Sequence, residues 1–336
     1  MHPFRWTIKN RFGLFVEPGR FYIDPDRAVS TAVITHGHSD HARKGHDTVI
    51  ATPETLAVME GRYGRNFCRK AVSLPIHESM TLGSTCITFF PAGHILGSVQ
   101  VQVEHRGARL GVSGDYKDGG DDPTCAAFES VPCDVFITEA TFAMPIFRFP
   151  EKSGEIAKLL QSMRDQPERP HIVGVYSLGK AQHLLVELRR TGYTGPIYAH
   201  RTILEMNRVY EAFGFALGDI RDAETYRSSR NNTADLILAP PGSIRSVVEK
   251  LSVLPVVSGA SGWHAVRNHA ARFGVELPMV ISDHCDWAGL QRSILATGAK
   301  EVWITHGLAD MLARWVQSKG IKGLALDQVW RGGSQA

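Results

Sequence analysis

The stretch Thr35-His36-Gly37-His38-Ser39-Asp40-His41 gathers three imidazoles and a carboxylate into a few consecutive positions. The apolar, β-branched run Ala32-Val33-Ile34 precedes it and reads as a buried strand, so the histidines begin where that strand ends. If the backbone stays extended through His36 and His38, their side chains project to one side and form a claw, because strand side chains repeat every two residues. Gly37 and Ser39 are small enough for the chain to bend closely round a cation, after which Asp40 and His41 add a carboxylate and a third imidazole. Donors this close together can hold parts of two adjacent metal ions. Imidazoles crowded without a metal would repel on protonation and gain little packing, which argues against an ordinary polar loop.

The same device recurs along the chain: an apolar run, then a ligand-type residue at its exit. Gly13 to Asp24 holds two short apolar runs about Pro18-Gly19 and predicts a β-hairpin ended by Asp24. Cys86-Ile87-Thr88-Phe89-Phe90 leads to His94, Arg109-Leu110-Gly111-Val112-Ser113 to Asp115, and Val135-Phe136-Ile137-Thr138 to Glu139. Late in the sequence Pro278-Met279-Val280-Ile281 runs into Ser282-Asp283-His284, and Glu301-Val302-Trp303-Ile304 into Thr305-His306. Ile304-Thr305-His306-Gly307 repeats Ile34-Thr35-His36-Gly37 letter for letter.

These donors divide into two sets. His36, His38 and His94 are assigned to a first metal and Asp40, His41 and His306 to a second, with Asp115 bridging, since a carboxylate has two oxygens and an imidazole one lone pair. Nitrogen and oxygen donors of this kind suit Zn²⁺ or Mn²⁺, and a pair of ions ~3.5 to 4 Å apart holds a hydroxide and the oxygens of a substrate together. Water shared by such ions ionises near neutral pH and serves as nucleophile without Ser or Cys. His284, not needed to complete either metal, is the candidate to assist a departing alkoxide, and Glu139 to hold its imidazole and favour the cation. His284, Glu139 and Asp40 are the expected catalytic groups. Asp24 is expected to orient the claw by hydrogen bonds to its ligands. His77, His105, His171, His183, His200, His264 and His269 lack comparable context.

The 336 residues exceed the usual single-domain size, and 43% hydrophobic with 21% charged residues is ordinary for a soluble globular protein. A net charge of +3 does not mark a nucleic-acid binder on its own, so an anionic substrate would be drawn to the metals rather than to a basic face. Arg62, Arg65, Arg69 and Lys70 read as a solvated face, with phosphate contact the functional alternative. Five scattered cysteines with no Cys-x-x-Cys pair predict reduced thiols. No signal-like or membrane-length apolar run is present, which predicts a cytoplasmic protein with no membrane partner.

From Phe149-Pro150 the pattern changes to alternating helix and strand of the parallel α/β kind. Helices are predicted over Ser153–Met163, Gly179–Arg190, Thr202–Phe213 and Gly242–Leu251, strands over His171–Tyr176, Ile197–Ala199, Asp235–Ala239 and Val253–Ser258, and a loop over Asp219–Thr233. Two strand-to-histidine exits so far apart suggest two halves of one layered fold with a module inserted between them.

The motif His36-x-His38-x-Asp40-His41 with Asp24, His94 and Asp115 resembles the metallo-β-lactamase superfamily. Glu139, His284 and His306 resemble the further motifs of its β-CASP nuclease branch. The resemblance implies an α/β fold: an αββα sandwich with an inserted parallel-sheet α/β β-CASP domain. The boundaries expected are residues 1–147 and 266–336 for the two parts of the metallo-β-lactamase domain and 148–265 for the insert. It also implies His36, His38, Asp40, His41, His94, Asp115 and His306 as ligands of two divalent ions, with His284 at the scissile phosphate. Gly179-Lys180-Ala181-Gln182, Ala239-Pro240-Pro241, Ala260-Ser261-Gly262-Trp263 and Ser282-Asp283-His284-Cys285-Asp286-Trp287 resemble the bacterial ligase-associated DNA exonucleases, also labelled messenger-RNA 3′-end processing factors. In that light the expected function is a two-metal DNA exonuclease of DNA repair, with DNA as substrate and a functional link to a DNA ligase. Family likeness favours a 5′-to-3′ direction. A ribonuclease using the same site is the alternative, because RNA-processing members and the bacterial exonucleases both carry His where His306 stands. A small thioester or lactone hydrolase fits the scaffold but not the insert, whose size suits a polymer. A protein that only binds nucleic acid does not need so complete a site.

Overall fold

The computed structural model describes residues 1–119, 122–226 and 235–330. The chain divides into two compact units, Met1–Pro145 with His284–Ala336, and Ile146–Asp283.

The first unit holds two sheets. One has six strands in chain order: Thr7–Asn10, Gly13–Val16, Phe21–Ile23, Thr31–Val33, His46–Ala51 and Cys68–Ser73. Its first three strands pair antiparallel, as the Pro18-Gly19 turn requires, and the rest pair parallel. The other sheet has seven strands, in the order Lys322–Ala325, Glu301–Ile304, Val135–Thr138, Ala108–Val112, Val99–His105, Thr85–Pro91 and Ser79–Leu82. The C-terminal strands therefore complete a sheet begun before the inserted unit, in parallel register with Val135–Thr138.

The central strands of each sheet are buried on both faces, which explains their continuous apolar runs. Val33 and Ile50 turn into the core between the sheets with Phe89, Val101, Leu110, Ile137 and Trp303. Their neighbours Ala32, Val49 and Ala51 turn outward under helix Pro53–Tyr63, against Met59. On the other sheet Phe136, Val302 and Ile304 turn outward beneath helices Trp287–Ala296 and Ala309–Ser318, against Leu290, Ile294, Leu312 and Val316. Period-two alternation thus generates four layers, helix, sheet, sheet, helix. Thr52 accepts from the Thr55 amide to start the first helix with Pro53 behind it, and Asp286 accepts from the Gly289 amide to start the second.

The second unit is a six-stranded parallel sheet, ordered Ile220–Asp222, Ile197–Ala199, Leu236–Ala239, His171–Gly174, Val256–Ala260 and Leu277–Met279. Helices Lys152–Asp165, Lys180–Arg190 and Arg201–Ala212 lie close to their predicted spans. The predicted helix at 242–251 shortens to a 3₁₀ turn, Pro241–Ser243, followed by the helix Ile244–Val248. The expected loop at 219–233 contains the edge strand Ile220–Asp222, and its remainder from 227 lies outside the described residues. The boundary expected at 265/266 also differs. Leu277–Met279 pairs with Val256–Ala260, so this unit runs to Asp283, where the sequence reading had placed 266–283 in the metallo-β-lactamase half.

All five cysteines are free thiols. No described helix is long and apolar enough to cross a membrane.

Leu110 is fully buried between the two sheets. Leu110→Ala is expected to lower unfolding free energy by about 2–5 kcal/mol, read from the midpoint of a denaturant titration.

Candidate metal centre

Every candidate side chain but His284 follows the carboxyl end of a strand. Phe21–Ile23 delivers Asp24, Thr31–Val33 the claw, Thr85–Pro91 His94, Ala108–Val112 Asp115, Val135–Thr138 Glu139 and Glu301–Ile304 His306. His284 stands just ahead of helix Trp287–Ala296. The claw is not extended strand as expected. Pairing ends with the Ile34 amide on the Ile50 carbonyl, and the Thr35 amide turns instead to the Asp24 carboxylate at 2.8 Å. His36 to Ala42 then form a tight turn closed by His41 and Ala42 amides on the His38 carbonyl. Asp24 and His306 have φ of 42° and 54°, the left-handed region in which a short polar side chain is tolerated. Gly114 is required beside the claw: its φ is 57°, and a Cβ there would lie 2.6 Å from Thr35 Oγ1.

Four donors converge. His38 Nδ1 lies 3.1 Å from His36 Nε2 and 3.0 Å from His94 Nε2. Asp115 Oδ2 lies 3.6 Å from His36 Nε2 and 3.9 Å from His94 Nε2, and all four donor atoms fall within 4.8 Å of one another. Next to them, His41 Nε2 is 3.6 Å from Asp115 Oδ2 and 3.9 Å from Asp40 Oδ2, with the His306 ring centred 6.0 Å from that of His41. The first set is therefore tight, with His36 and His94 buried and His38 and Asp115 half-buried. The second is looser: Asp40 is 73% exposed in its side chain and His306 is exposed.

Hydrogen bonds aim the rings. Thr35 Oγ1 donates to Asp24 Oδ2 at 2.6 Å and so can only accept from His36 Nδ1, 3.0 Å away. That fixes the His36 proton on Nδ1 and turns the Nε2 lone pair inward. Asp24 Oδ2 also accepts from His41 Nδ1 at 2.8 Å, which turns His41 Nε2 toward Asp115. Asp24 thus touches the claw through Thr35 and His41. Arg62, read as part of a solvated face, donates to the Gly37 carbonyl at 2.6 Å and ties helix Pro53–Tyr63 to the turn. Arg65 and Arg69 pair with Glu60 and Asp47 at the surface.

His284 Nδ1 is 2.8 Å from Glu139 Oε1. Glu139 is buried and also accepts from the Tyr116 amide at 3.3 Å, the Thr141 amide at 3.2 Å and the Thr141 hydroxyl. The His284 ring is centred 4.7 Å from that of His94, and Asp115, Glu139 and His284 bring one donor atom each within 4.8 Å.

The surroundings shift the donors in different directions. Burial, then the charges of His41, His94 and His38, push the His36 imidazole well below its ordinary range, so it is neutral and able to ligate. Burial disfavours charge on His41 too, but the Asp24 carboxylate outweighs it and raises that ring to about 10. Burial raises Asp115 to about 6, although His284 and His41 pull the other way. Burial would also raise Glu139, yet its contact with His284 holds it below the usual carboxylate range. Three inward nitrogen donors with a buried carboxylate are the donor set of a Zn²⁺ or Mn²⁺ site.

A scan against protein-family models finds no match. The chain is similar to a protein named "Probable DNA ligase" from Opitutus terrae, 28% identical over 96% of this chain and 31% of that one. It is also similar to "Endoribonuclease YSH1" from Gibberella zeae, 29% identical over 50% of this chain and 20% of that one. The chain thus spans a third or less of the length of either relative. A crystal structure of a protein of unknown function from Enterococcus faecalis V583 superposes with a TM-score of 0.55 at 12% identity, covering 83% of this chain and 75% of that one. That likeness is one of fold. The relatives and the claw together support the resemblance to the β-CASP nuclease branch of the metallo-β-lactamase superfamily.

Sequence reasoning missed Thr35 and Thr141, and read Arg62 only as one of a basic cluster. A signal for the first was present in the Ile-Thr-His-Gly repeat, because Thr305 Oγ1 also lies 3.2 Å from His306 Nδ1. A cavity of about 190 Å³ adjoins Asp40, His41, Asp115 and His306, with Lys9 and Arg43 in its wall.

Thr35→Val removes the hydroxyl while keeping the shape. It is expected to weaken metal binding about 10- to 100-fold with the fold retained, as checked by equilibrium dialysis and circular dichroism.

Proposed function

We propose that this chain is a two-metal-dependent DNA exonuclease that hydrolyses phosphodiester bonds in DNA repair. The observation that carries this reading is Asp115 Oδ2, which lies 3.6 Å from His36 Nε2 and 3.6 Å from His41 Nε2 and so can serve both donor sets. His36, His38 and His94 would hold one ion, Asp40, His41 and His306 the other, with Asp115 between. When bound, two divalent cations supply an activated water and neutralise charge on the phosphate oxygens.

The side chains do the rest. Asp24 and Thr35 hold His41 and His36 with their lone pairs inward. Ionised Glu139 accepts a hydrogen bond from His284 Nδ1–H and stabilises the imidazolium, which leaves Nε2–H to protonate the departing alkoxide. DNA as substrate, and a working link to a ligase, are supported by the relative named for DNA ligase, which aligns over 96% of this chain. A ribonuclease is the second reading, favoured by the relative named as an endoribonuclease.

Matched DNA and RNA oligonucleotides labelled at either end, incubated with protein reconstituted with Zn²⁺ or with Mn²⁺, test the reading. Ladders on DNA that shorten from one end are expected. Cleavage confined to RNA, or internal cuts alone, would remove it. Asp115→Ala is expected to abolish hydrolysis and lower metal content by elemental analysis. His284→Ala is expected to keep its metal and lose ~10²- to 10⁴-fold in kcat. Metal loss in the second variant would make His284 a ligand.

A further inference from the structure

The Trp263–Phe273 segment of the Ile146–Asp283 unit carries an aromatic surface that the metal centre does not use. Trp263 packs edge-on against buried Phe147 with ring centroids 5.3 Å apart, yet remains 40% exposed. The His269 ring lies nearly parallel to Trp263, at 23° and 6.2 Å, and Phe273 follows 5.0 Å beyond His269 with 70% of its surface exposed. Three rings therefore form a continuous run at the surface, anchored at one end by Phe147. Large exposed aromatics side by side lose hydration free energy unless something covers them.

Charge narrows the choice of partner. From Lys250 to Val275 the sequence contains no Asp or Glu, while Arg267 and Arg272 are exposed among the rings. Arg272 and His269 are one helical turn apart in His269–Arg272 and share a face. The next acid, Glu276, is held by both terminal nitrogens of Arg169. Exposed cations on a stretch without acidic residues suit an anion. An aromatic run suits flat apolar rings. Unpaired nucleotides offer both, whereas a duplex hides its base faces in the stack.

We infer that Trp263, His269 and Phe273 form a stacking platform for unpaired bases, with Arg267 and Arg272 on the neighbouring phosphates, so that the strand engaged is single-stranded. The inference rests on the nuclease reading and deepens it by naming the strand state. Base stacking does not depend on the sugar, so DNA and RNA strands are both accommodated.

The test uses the full chain in excess chelator, where no strand is cut. Fluorescence anisotropy reports its affinity for labelled oligothymidylate, oligouridylate and a blunt DNA duplex. Both single strands are expected to bind more tightly than the duplex. Phe273→Ala should weaken single-strand binding about 5- to 100-fold at an unchanged unfolding midpoint. Arg272→Gln should lower the salt slope of log K by about 0.7, which Phe273→Ala should not. Equal affinity of Phe273→Ala and wild type, or a duplex bound as tightly as single strands, overturns the platform. Self-association lost in Phe273→Ala without oligonucleotide binding also overturns it, in favour of a protein contact. Wild type that cuts strands while Phe273→Ala binds them normally sinks the platform alone. Wild type that binds as expected but hydrolyses nothing with either metal sinks the nuclease reading alone.

Discussion

The constraint on which this structure turns is the crowding of several imidazole nitrogens within hydrogen-bonding distance of each other, with one carboxylate oxygen 3.6 to 3.9 Å away. His36, His38 and His94 cannot all be charged there, and burial with mutual repulsion drives His36 firmly to its neutral form. Neutral imidazoles so close aim lone pairs into one small volume with too few protons to share, an arrangement that gains little by itself in a low-dielectric setting. A divalent cation reverses the sign of each of these terms. The protein meets the cost of assembling the cluster through the surrounding sheets, whose cores are filled by residues such as Trp303, Phe89 and Val101 that make no contact with chemistry.

Precision comes from short polar links rather than from the ligands. Asp24 is the shared node: one oxygen accepts the Thr35 amide, and the other accepts both the Thr35 hydroxyl and His41. Two rings destined for different donor sets are thereby keyed to a single carboxylate. Glu139 is a second node, tying His284 to Tyr116 and Thr141. His36 and His94 of the first donor set are buried, whereas Asp40 and His306 of the second face solvent.

Much of this was legible in the chain. Strand-exit histidines and carboxylates stand out because a buried strand is a run of apolar letters and its polar successor interrupts it. The family motifs then joined segments far apart in sequence. What stayed hidden depends on tertiary partners. The claw looked extended because its alternation is that of a strand, but the competing bond from the Thr35 amide to Asp24 lies outside any local pattern. Arg62 looked like one cation among several, and only the turn brought against its helix gives it a backbone carbonyl. The end of the insert was misplaced because Leu277–Met279 has the letters of a strand in either sheet, and pairing alone decides which one it joins.

The order in which the donors leave the ribosome differs from the order in which they meet. His36 through Asp115 are made early, whereas His306 arrives after the whole Ile146–Asp283 unit, on a strand that pairs with Val135–Thr138 and is then flanked by Lys322–Ala325. A nascent chain can therefore assemble the tight donor set long before the looser one exists. Closure of the sheet by its last strands, a contact between distant parts of the chain and hence a slow one, is the event that brings His306 to the other donors.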